Sequence, residues 1–288
     1  MIQVSVIIPT FGRPDNLARA IDSVLIQDGI IFEIIIVDDN EPNSPCRKMT
    51  EQLMLTYSDS RLNYVKHSEN KNGAAARNTG AHLARGHYIA FLDDDDEYMF
   101  DNLKQHINFI MENQARFSYC RYESHINLRI NRQSKYNSVG DLKFDTLCSI
   151  IDFNSSCIIV SKDLFIEING FDESFKRNQD YEFIVRCMSR TKAICLDKIL
   201  VIRNFDSKIN HPNFDGYSFI REKFIRTFDS EINNMSSYKR ILINAFYHLD
   251  LALYAFRSRL YMVSLNHSFY SFPVLFNVRK LLERFRFI

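Results

Sequence analysis

The chain has 288 residues, with 36 Lys and Arg against 35 Asp and Glu, which gives a formal net charge of +1. A nearly neutral protein lacks the overall field that attracts a polyanion, so the composition disfavours a strongly basic nucleic-acid-binding protein and leaves open only a local basic patch. The 46% of hydrophobic residues can form a core, and only 8 Gly and 6 Pro exclude low-complexity character.

Strands and helices alternate through the first hundred residues. The strands are predicted at 3–9, 32–37, 62–66 and 88–92, and the helices between them at 15–27, 49–57 and 73–85. This alternation predicts a parallel α/β sheet, in which ligands bind beyond the carboxyl ends of the strands.

The pattern changes to α+β after Asp101. A helix is predicted at 102–113, strands at 117–123 and 157–160, and an amphipathic helix at 180–189. The polar segment 127–141 is expected to be a mobile loop. From about residue 216 onward the sequence predicts helices only, with aromatic and basic residues interleaved.

Four consecutive carboxylates, Asp93–Asp96, follow the fourth strand. They repel one another and cost stability unless a cation lies among them. Oxygen ligands without His or Cys favour Mg²⁺ or Mn²⁺ over zinc, and such ions keep positions for phosphate oxygens. The alternative is a solvated turn that caps the helix from Asp101, which the position at a strand end disfavours.

Two other acidic sites are weaker when taken alone. Asp38-Asp39-Asn40 ends the second strand, and either hydrogen-bonds a nucleotide base or ribose or forms a turn. Asp180 stands at the start of a predicted helix. Its carboxylate either caps the amino end of that helix or acts as a general base.

Four blocks, in this order, resemble the family 2 glycosyltransferases, which are inverting, nucleotide-sugar-dependent enzymes of the GT-A fold. The blocks are VSVIIPTFGRPDNLARAIDSVLIQ, FEIIIVDDN, NGAAARNTGAHLARGHYIAFLDDDDEY and GFDESFKRNQDYEFIVR, and the likeness covers about residues 3–205. The resemblance implies an α/β GT-A domain at 1–210 and a C-terminal helical region at 211–288. Within the domain, a Rossmann-like nucleotide-binding sheet at 1–100 continues into an acceptor-binding α+β half at 101–210.

The resemblance implies a nucleotide-binding role for matching residues, which are Pro9, Thr10, Phe11, Asp38, Asp39, Arg77 and Asp94. Asp39 matches the aspartate that reads uracil. Phe11 stands where the family often has tyrosine, so it keeps ring stacking and loses a hydroxyl contact. Arg77 is positioned to hold the nucleotide-binding loops or the diphosphate.

The resemblance implies chemistry at three further positions. Asp93 and Asp95 match the two acids of the DxD motif that holds Mg²⁺ or Mn²⁺. Of the two, Asp95 is the one expected to coordinate the ion directly. Asp180 matches the catalytic base, and Gln179 replaces the usual glutamate beside it. His211 either matches a late histidine near the diphosphate or is a surface histidine.

The implied activity is the transfer of one sugar from a nucleotide sugar, a UDP-sugar, to a hydroxyl of a glycan acceptor. A lipid-linked acceptor, as in O-antigen or capsule assembly, is expected. Processive members carry a QxxRW motif, which a chain without tryptophan does not contain. The first alternative is a catalytically degenerate protein that binds nucleotide sugars. The second is a nucleotidyltransferase, which would need a Gly-rich, basic phosphate-binding loop after the first strand, where this chain has TFGRPD.

Basic and aromatic residues are interleaved from Phe256 to the end of the chain. The basic residues are Arg257, Arg259, Arg279, Lys280, Arg284 and Arg286, and the aromatic ones are Phe256, Tyr261, Phe269, Tyr270, Phe272, Phe276, Phe285 and Phe287. On helices that do not span a bilayer, this composition suits peripheral docking at an anionic membrane surface. A packing lid or a dimer interface is the alternative.

The sequence also predicts where the protein resides. Its six cysteines stand singly without a CxxC pair, which is typical of core residues in a reducing compartment. The amino terminus lacks a signal peptide, and no run of about 18 uncharged apolar residues occurs. We therefore expect a cytoplasmic protein, peripheral at the inner membrane face if the C-terminal region docks there.

Overall fold

The computed structural model describes residues 1–126, 129–205 and 212–276. The chain divides into two compact units, Met1–Asp141 with Phe153–Ser207, and Leu142–Asp152 with Lys208–Ile288. The domain boundary expected after residue 210 stays a prediction. His211 and the basic residues from Arg279 onward lie outside the described residues.

Four strands form the parallel part of the sheet in the first unit: β1 (Val4–Thr10), β2 (Phe32–Asp38), β3 (Leu62–Lys66) and β4 (Tyr88–Phe91). β1 pairs in parallel with β2 and β4, and β2 with β3. Almost every side chain of β1 and β2 is buried, as expected for strands covered on both faces. The parallel α/β arrangement predicted for the first hundred residues is therefore confirmed.

Three helices connect these strands: α1 (Pro14–Leu25), α2 (Pro45–Met54) and α3 (Gly73–Leu83). α2 begins earlier than predicted because the Ser44 side chain caps it and Pro45 suits the first helical position. α3 packs unusually close to β1. A Cβ added to Gly80 would lie 2.4 Å from Ile7 Cγ2, so a larger residue would push α3 away from the sheet.

The next elements, in chain order, are β5 (Asp96–Tyr98), α4 (Asn102–Glu112), β6 (Phe117–Ile126), β7 (Arg129–Gln133), α5 (Lys143–Leu147), β8 (Ile158–Ser161), α6 (Lys162–Glu167), α7 (Gln179–Met188) and β9 (Ala193–Phe205). All but α5 belong to the first unit. The strand order is β3-β2-β1-β4-β8-β6-β9-β5, with β7 paired to β6.

The expected mobile loop at 127–141 is wrong for residues 129–133, which form β7. This strand pairs antiparallel with β6, and its side chains are mostly exposed. Its backbone hydrogen bonds, rather than an apolar face, hold it in place, so hydrophobic periodicity gave no signal for it.

The second unit is helical in its described residues, as predicted for the C-terminal region. It contains α5, α8 (Phe214–Thr227), α9 (Asp229–Asn233), α10 (Ser237–Arg257) and α11 (Tyr261–Tyr270), followed by a 3₁₀ turn at Phe272–Phe276. Among the helices of the described ranges, none combines the length and apolar character needed to cross a bilayer.

A buried ion pair joins α8 to α10. Arg221 Nη2 lies 3.0 Å from Asp250 Oδ2, and the two side chains are only 2% and 0% exposed. Each charge compensates the other where water cannot. Removing one partner would leave a buried, unpaired charge, which lowers the free energy of unfolding much more than the loss of a surface ion pair.

We expect Asp250→Ala to lower the free energy of unfolding by about 3–5 kcal/mol, because Arg221 would lose its buried counter-charge. Urea denaturation followed by far-ultraviolet circular dichroism measures this change. Glu222→Ala is the matched control on α8, since it removes the exposed Glu222–Arg226 pair at 2.6 Å. The control should cost less than about 0.5 kcal/mol, and equal losses in the two variants would contradict the prediction.

Candidate active site

The carboxylates of Asp93–Asp96, called here the acidic run, differ in exposure. The side chains of Asp93 and Asp95 are 25% and 26% exposed, whereas Asp94 and Asp96 are buried. Asp93 and Asp95 are therefore accessible to a ligand from solvent, whereas Asp94 and Asp96 are surrounded by protein groups.

Three members of the run, Asp93, Asp95 and Asp96, form what we call the carboxylate cluster. Each offers one oxygen, and these oxygens all lie within 4.8 Å of one another. A donor set made only of carboxylate oxygen fits Mg²⁺ or Mn²⁺. The cluster contains Asp93 and Asp95, the two expected metal ligands, and adds Asp96, a member of the acidic run that lies outside the DxD pattern.

Arg77 on α3 connects the carboxylate cluster to the start of α7. Its Nη2 donates to Asp93 Oδ1 at 2.5 Å and to Ser155 Oγ at 3.2 Å, and its Nη1 donates to Gln179 Oε1 at 2.9 Å. Asn72 caps α3 by accepting from the amides of Ala74 and Ala75. The sequence-predicted Arg77 therefore contacts two of the other chain segments singled out in the sequence.

Burial and neighbouring charges set different pKa values within the cluster. Burial opposes ionisation of Asp93, but the Arg77 charge and hydrogen bond outweigh it and lower the pKa of Asp93. Burial raises the pKa of Asp96 to about 7; the Arg203 charge opposes this rise, and the charges of Asp93 and Asp95 add to it. Burial likewise raises the pKa of Asp95, although Arg13 opposes it.

Asp94 is fully buried and bound within the protein. Its Oδ2 accepts from Thr10 Oγ1 at 2.8 Å and from the Phe11 amide at 3.3 Å, and its Oδ1 pairs with Arg13 Nη2 at 2.6 Å. Burial raises the pKa of Asp94 to about 7, partly offset by Arg13. These contacts favour a role in joining the loop after β1 to the loop after β4, rather than the predicted contact with a nucleotide.

The predicted nucleotide ligand Asp38 is also buried and bound within the protein. It pairs with Arg47 at 3.0 Å and accepts from Tyr64 Oη at 2.6 Å and from the Asn40 amide at 2.9 Å. With no exposed side-chain surface, Asp38 is better placed to hold the end of β2 than to bind a ligand.

Asp39 is 2% exposed and accepts four hydrogen bonds. The donors are His67 Nδ1 at 2.7 Å, Asn70 Nδ2 at 2.9 Å, the Lys71 amide at 2.8 Å and the Asn72 amide at 2.9 Å. They fill the usual acceptor capacity of a carboxylate, so binding a base would require one donor to be replaced. Its predicted contact with uracil stays a prediction.

Two residues of the loop after β1 remain accessible. Pro9 is half-exposed, and the Phe11 ring is 54% exposed. An exposed aromatic ring next to the backbone that contacts Asp94 is available for stacking on a flat ligand.

Asp180 lies in the first turn of α7, which begins at Gln179. The N-cap residue is Asn178, so the alternative of an N-cap aspartate at 180 is not supported. Burial raises the pKa of Asp180. The hydrogen bond from the Tyr181 amide and the charges of Arg77 and Arg203 lower it, but they do not outweigh burial. The preceding residue, Gln179, accepts from Arg77, which also binds Asp93, so the start of α7 is linked to the carboxylate cluster.

Several residues at the site were given no specific role by the sequence, although the segment around Asn154–Ser156 was expected to take part in the choice of donor and acceptor. Ser156 Oγ donates to Asp96 Oδ2 at 2.6 Å and accepts from the Asp93 amide at 3.1 Å, and Asn154 Nδ2 donates to Asp96 at 3.0 Å. The Arg203 guanidinium lies 4.8 Å from the Tyr122 ring centroid and 5.1 Å from that of Phe205. No motif marks these residues.

Comparisons with known proteins show the family of the chain. A sequence model of the family described as Glycosyl transferase family 2 matches residues 5–168. The chain is 30% identical over 198 residues to the amylovoran biosynthesis glycosyltransferase AmsB of Erwinia amylovora, covering 64% of each chain. It is 28% identical over 181 residues to the UDP-Glc:alpha-D-GlcNAc-diphosphoundecaprenol beta-1,3-glucosyltransferase WfgD of Escherichia coli, covering 62% of this chain and 66% of that one.

These relatives are longer than the matched region. The chain spans less than two thirds of AmsB and of WfgD, and 21% and 20% of two longer relatives. Among solved structures, S. aureus TarS 1-349 in complex with UDP-GlcNAc is similar, with a TM-score of 0.68 at 20% identity over 86% of this chain and 73% of that chain. This likeness confirms the predicted GT-A fold class.

We expect Gln179→Glu to raise the pKa of Asp180. The new carboxylate would add a negative charge next to Asp180 and would neutralise Arg77, whose charge lowers that pKa. Both effects have the same sign, so Asp180 would remain protonated to a higher pH than in the wild type. Carbon-13 NMR titration of aspartate carboxyls, with the Asp180 signal assigned by its loss in Asp180→Asn, measures the change.

Gln179→Met is the matched control, because it has similar length and adds no charge. A pKa of Asp180 in the glutamate variant that is equal to or lower than its pKa in the methionine variant would contradict the expected rise.

Proposed function

The chain belongs to glycosyltransferase family 2, and we propose that it is an inverting, non-processive enzyme that transfers one sugar from a UDP-sugar to a hydroxyl of a glycan acceptor. The observation that supports this most is the hydrogen-bonded link from Gln179 through Arg77 to Asp93. It joins the residue before the candidate base to a cluster that suits a divalent ion.

The donor would bind against the carboxylate cluster and the loop after β1. Asp93, Asp95 and Asp96 would hold Mg²⁺ or Mn²⁺, which supplies positive charge against the departing diphosphate. The exposed Phe11 ring would stack on the base. A UDP-linked donor is supported by the name of WfgD and by the UDP-GlcNAc bound to TarS.

Asp180 would act as the general base. Its carboxylate takes the proton of the acceptor hydroxyl while that oxygen attacks the anomeric carbon from the side opposite the leaving group. The new carbon–oxygen bond forms as the bond to the diphosphate oxygen breaks, so the anomeric centre inverts in one step. Arg77 and Arg203 keep positive charge near the departing anion, and their charges also help Asp180 stay ionised.

The acceptor is proposed to be lipid-linked, in the assembly of a bacterial surface polysaccharide such as O-antigen or capsule. The names of AmsB and WfgD support this class, since AmsB is named for the biosynthesis of amylovoran and WfgD for an acceptor that is an alpha-D-GlcNAc-diphosphoundecaprenol. Such an acceptor sits in a membrane, so a surface of the enzyme that docks there would aid access to it.

α11 offers a surface of the required kind. Met262, Leu265 and Phe269 are 79%, 66% and 80% exposed, and their spacing places them on one face of the helix. Ser264, by contrast, is buried and donates to the Ala252 carbonyl of α10. Arg257 and Arg259 are exposed nearby, and the sequence contains no acidic residue between Asp250 and Glu283. We therefore propose that this face contacts an anionic lipid surface.

We expect Asp180→Asn to fold and bind nucleotide but to lose about 10²–10⁴-fold in transfer rate, the usual contribution of a positioned base. A thermal-shift panel of nucleotide sugars with Mn²⁺ identifies the donor first, because a ligand of the native state raises its melting temperature. Release of the nucleoside diphosphate in the presence of a glycan acceptor then measures transfer.

Asp172→Asn, a nearby change of the same kind, serves as the control and should keep wild-type activity. Substantial transfer by the Asp180 variant would remove this residue from the proposed role. Donor binding without turnover by the wild type, with any acceptor tried, would instead favour the catalytically degenerate binding protein.

We expect Leu265→Asp to reduce binding to anionic vesicles by at least about tenfold, because it removes apolar contact and adds a charge that the surface repels. Flotation of the full chain with phosphatidylglycerol vesicles and with neutral vesicles measures this change. Leu55→Asp on the first unit, at a side chain that is 86% exposed, is the matched control. Equal flotation of both variants would assign the α11 face to packing or dimerisation.

A further inference from the structure

Arg13 binds two carboxylates of the acidic run at once. Its Nη2 lies 2.6 Å from Asp94 Oδ1, and its Nη1 donates to Asp95 Oδ2. Asp94 is buried, whereas Asp95 belongs to the carboxylate cluster. The guanidinium is thus anchored by an interior carboxylate while it covers an oxygen of a candidate metal ligand.

Arg13 is also freer to move than Arg77, the other arginine that pairs with the cluster. The Arg13 side chain is 46% exposed and lies in the loop before α1, after Gly12. The Arg77 side chain is 10% exposed and is held by Gln179 and Ser155 in addition to Asp93. Arg13 can therefore leave Asp95 while Arg77 stays in place.

A divalent ion and a guanidinium compete for the same carboxylate oxygen, because two cations at that distance repel each other. The competition has a second consequence when a diphosphate is present. Phosphate oxygens accept well from a guanidinium, so a diphosphate next to the cluster would offer Arg13 a new anionic partner.

We propose that Arg13 is the counter-cation of Asp95 in the free protein, that a divalent ion displaces it, and that the released guanidinium, still held by Asp94, turns to the donor diphosphate. Arg13 is then a positioning residue that makes ion binding and nucleotide binding favour each other. The nucleotide half of this inference rests on the proposed function, and the ion half does not.

The test is Mn²⁺ binding itself, measured by electron paramagnetic resonance of the free ion, for the wild type, Arg13→Gln and Arg13→Lys. Arg19→Gln is the matched control. Arg19 lies in the middle of α1 and carries the same charge, but it pairs with Glu97 at 3.0 Å, and it contacts Asp95 through the backbone carbonyl, at 3.3 Å, rather than through the carboxylate. Each protein is titrated with Mn²⁺ alone and again with saturating UDP, and melting temperatures verify folding.

With Mn²⁺ alone, Arg13→Gln should bind at least about fivefold more tightly than the wild type, the scale of a half-exposed ion pair. In Arg13→Lys the single ammonium can pair with Asp94 but not with both carboxylates, so the affinity for Mn²⁺ should rise about twofold. This variant replaces Arg13→Gln in the test if the glutamine variant does not fold. With UDP present the gain should disappear or reverse, because the wild-type arginine then contacts phosphate.

Unchanged or weaker Mn²⁺ binding by the Arg13 variants, or an equal gain in Arg19→Gln, would overturn the displacement. A gain that persists in full with UDP would overturn the coupling. If the wild type does not bind UDP at all, the proposed function fails, and the titrations with Mn²⁺ alone still decide whether Arg13 competes with the ion.

Discussion

The candidate site depends on one nearly buried guanidinium. A guanidinium with little exposure to water needs compensating negative charge, and Asp93 is the one carboxylate in the described ranges that pairs with Arg77. The next residue, Asn78, holds the backbone of Phe171 through bonds of 2.8 and 2.9 Å. Two successive side chains of α3 therefore fix the acidic run and the segment that leads to α7. Their position depends in turn on Gly80, which lets α3 lie against β1.

The acidic run shows how four adjacent carboxylates can be tolerated. The two buried members accept hydrogen bonds from hydroxyl and amide groups, as Asp96 does from Ser156 and Asn154. Their raised pKa values reduce the negative charge within the run near neutral pH. The electrostatic cost of the motif is thereby limited, while its two accessible members remain near a quarter exposed.

The elements that follow local patterns could be predicted from the sequence. Apolar β-branched runs marked β1 and β2, and acidic residues after β4 marked the edge of the sheet where the cluster lies. Apart from the local contact of Asn40 with Asp38, the partners of Asp38 and Asp39 could not be predicted, because only the folded chain brings them together. They are Arg47, Tyr64, His67, Asn70, Lys71 and Asn72. Arg203 gave no signal because its ring partner Tyr122 belongs to β6, which is distant in sequence from β9. β7 was missed because its pairing with β6 is polar.

The path of the chain between the two compact units has a consequence for modular exchange. The chain passes into the helical unit at Leu142 and returns at Phe153, immediately before the residues that bind Asp96. Within that unit, the Lys239 ammonium of α10 lies 5.4 Å from the ring centroid of Phe144 in α5. A chimaera that grafts a foreign carboxyl-terminal half would therefore separate α5 from its native neighbours, so a functional swap requires two stretches to be exchanged together. Along the sequence, the residues of the helical unit are therefore interleaved with those of the first unit.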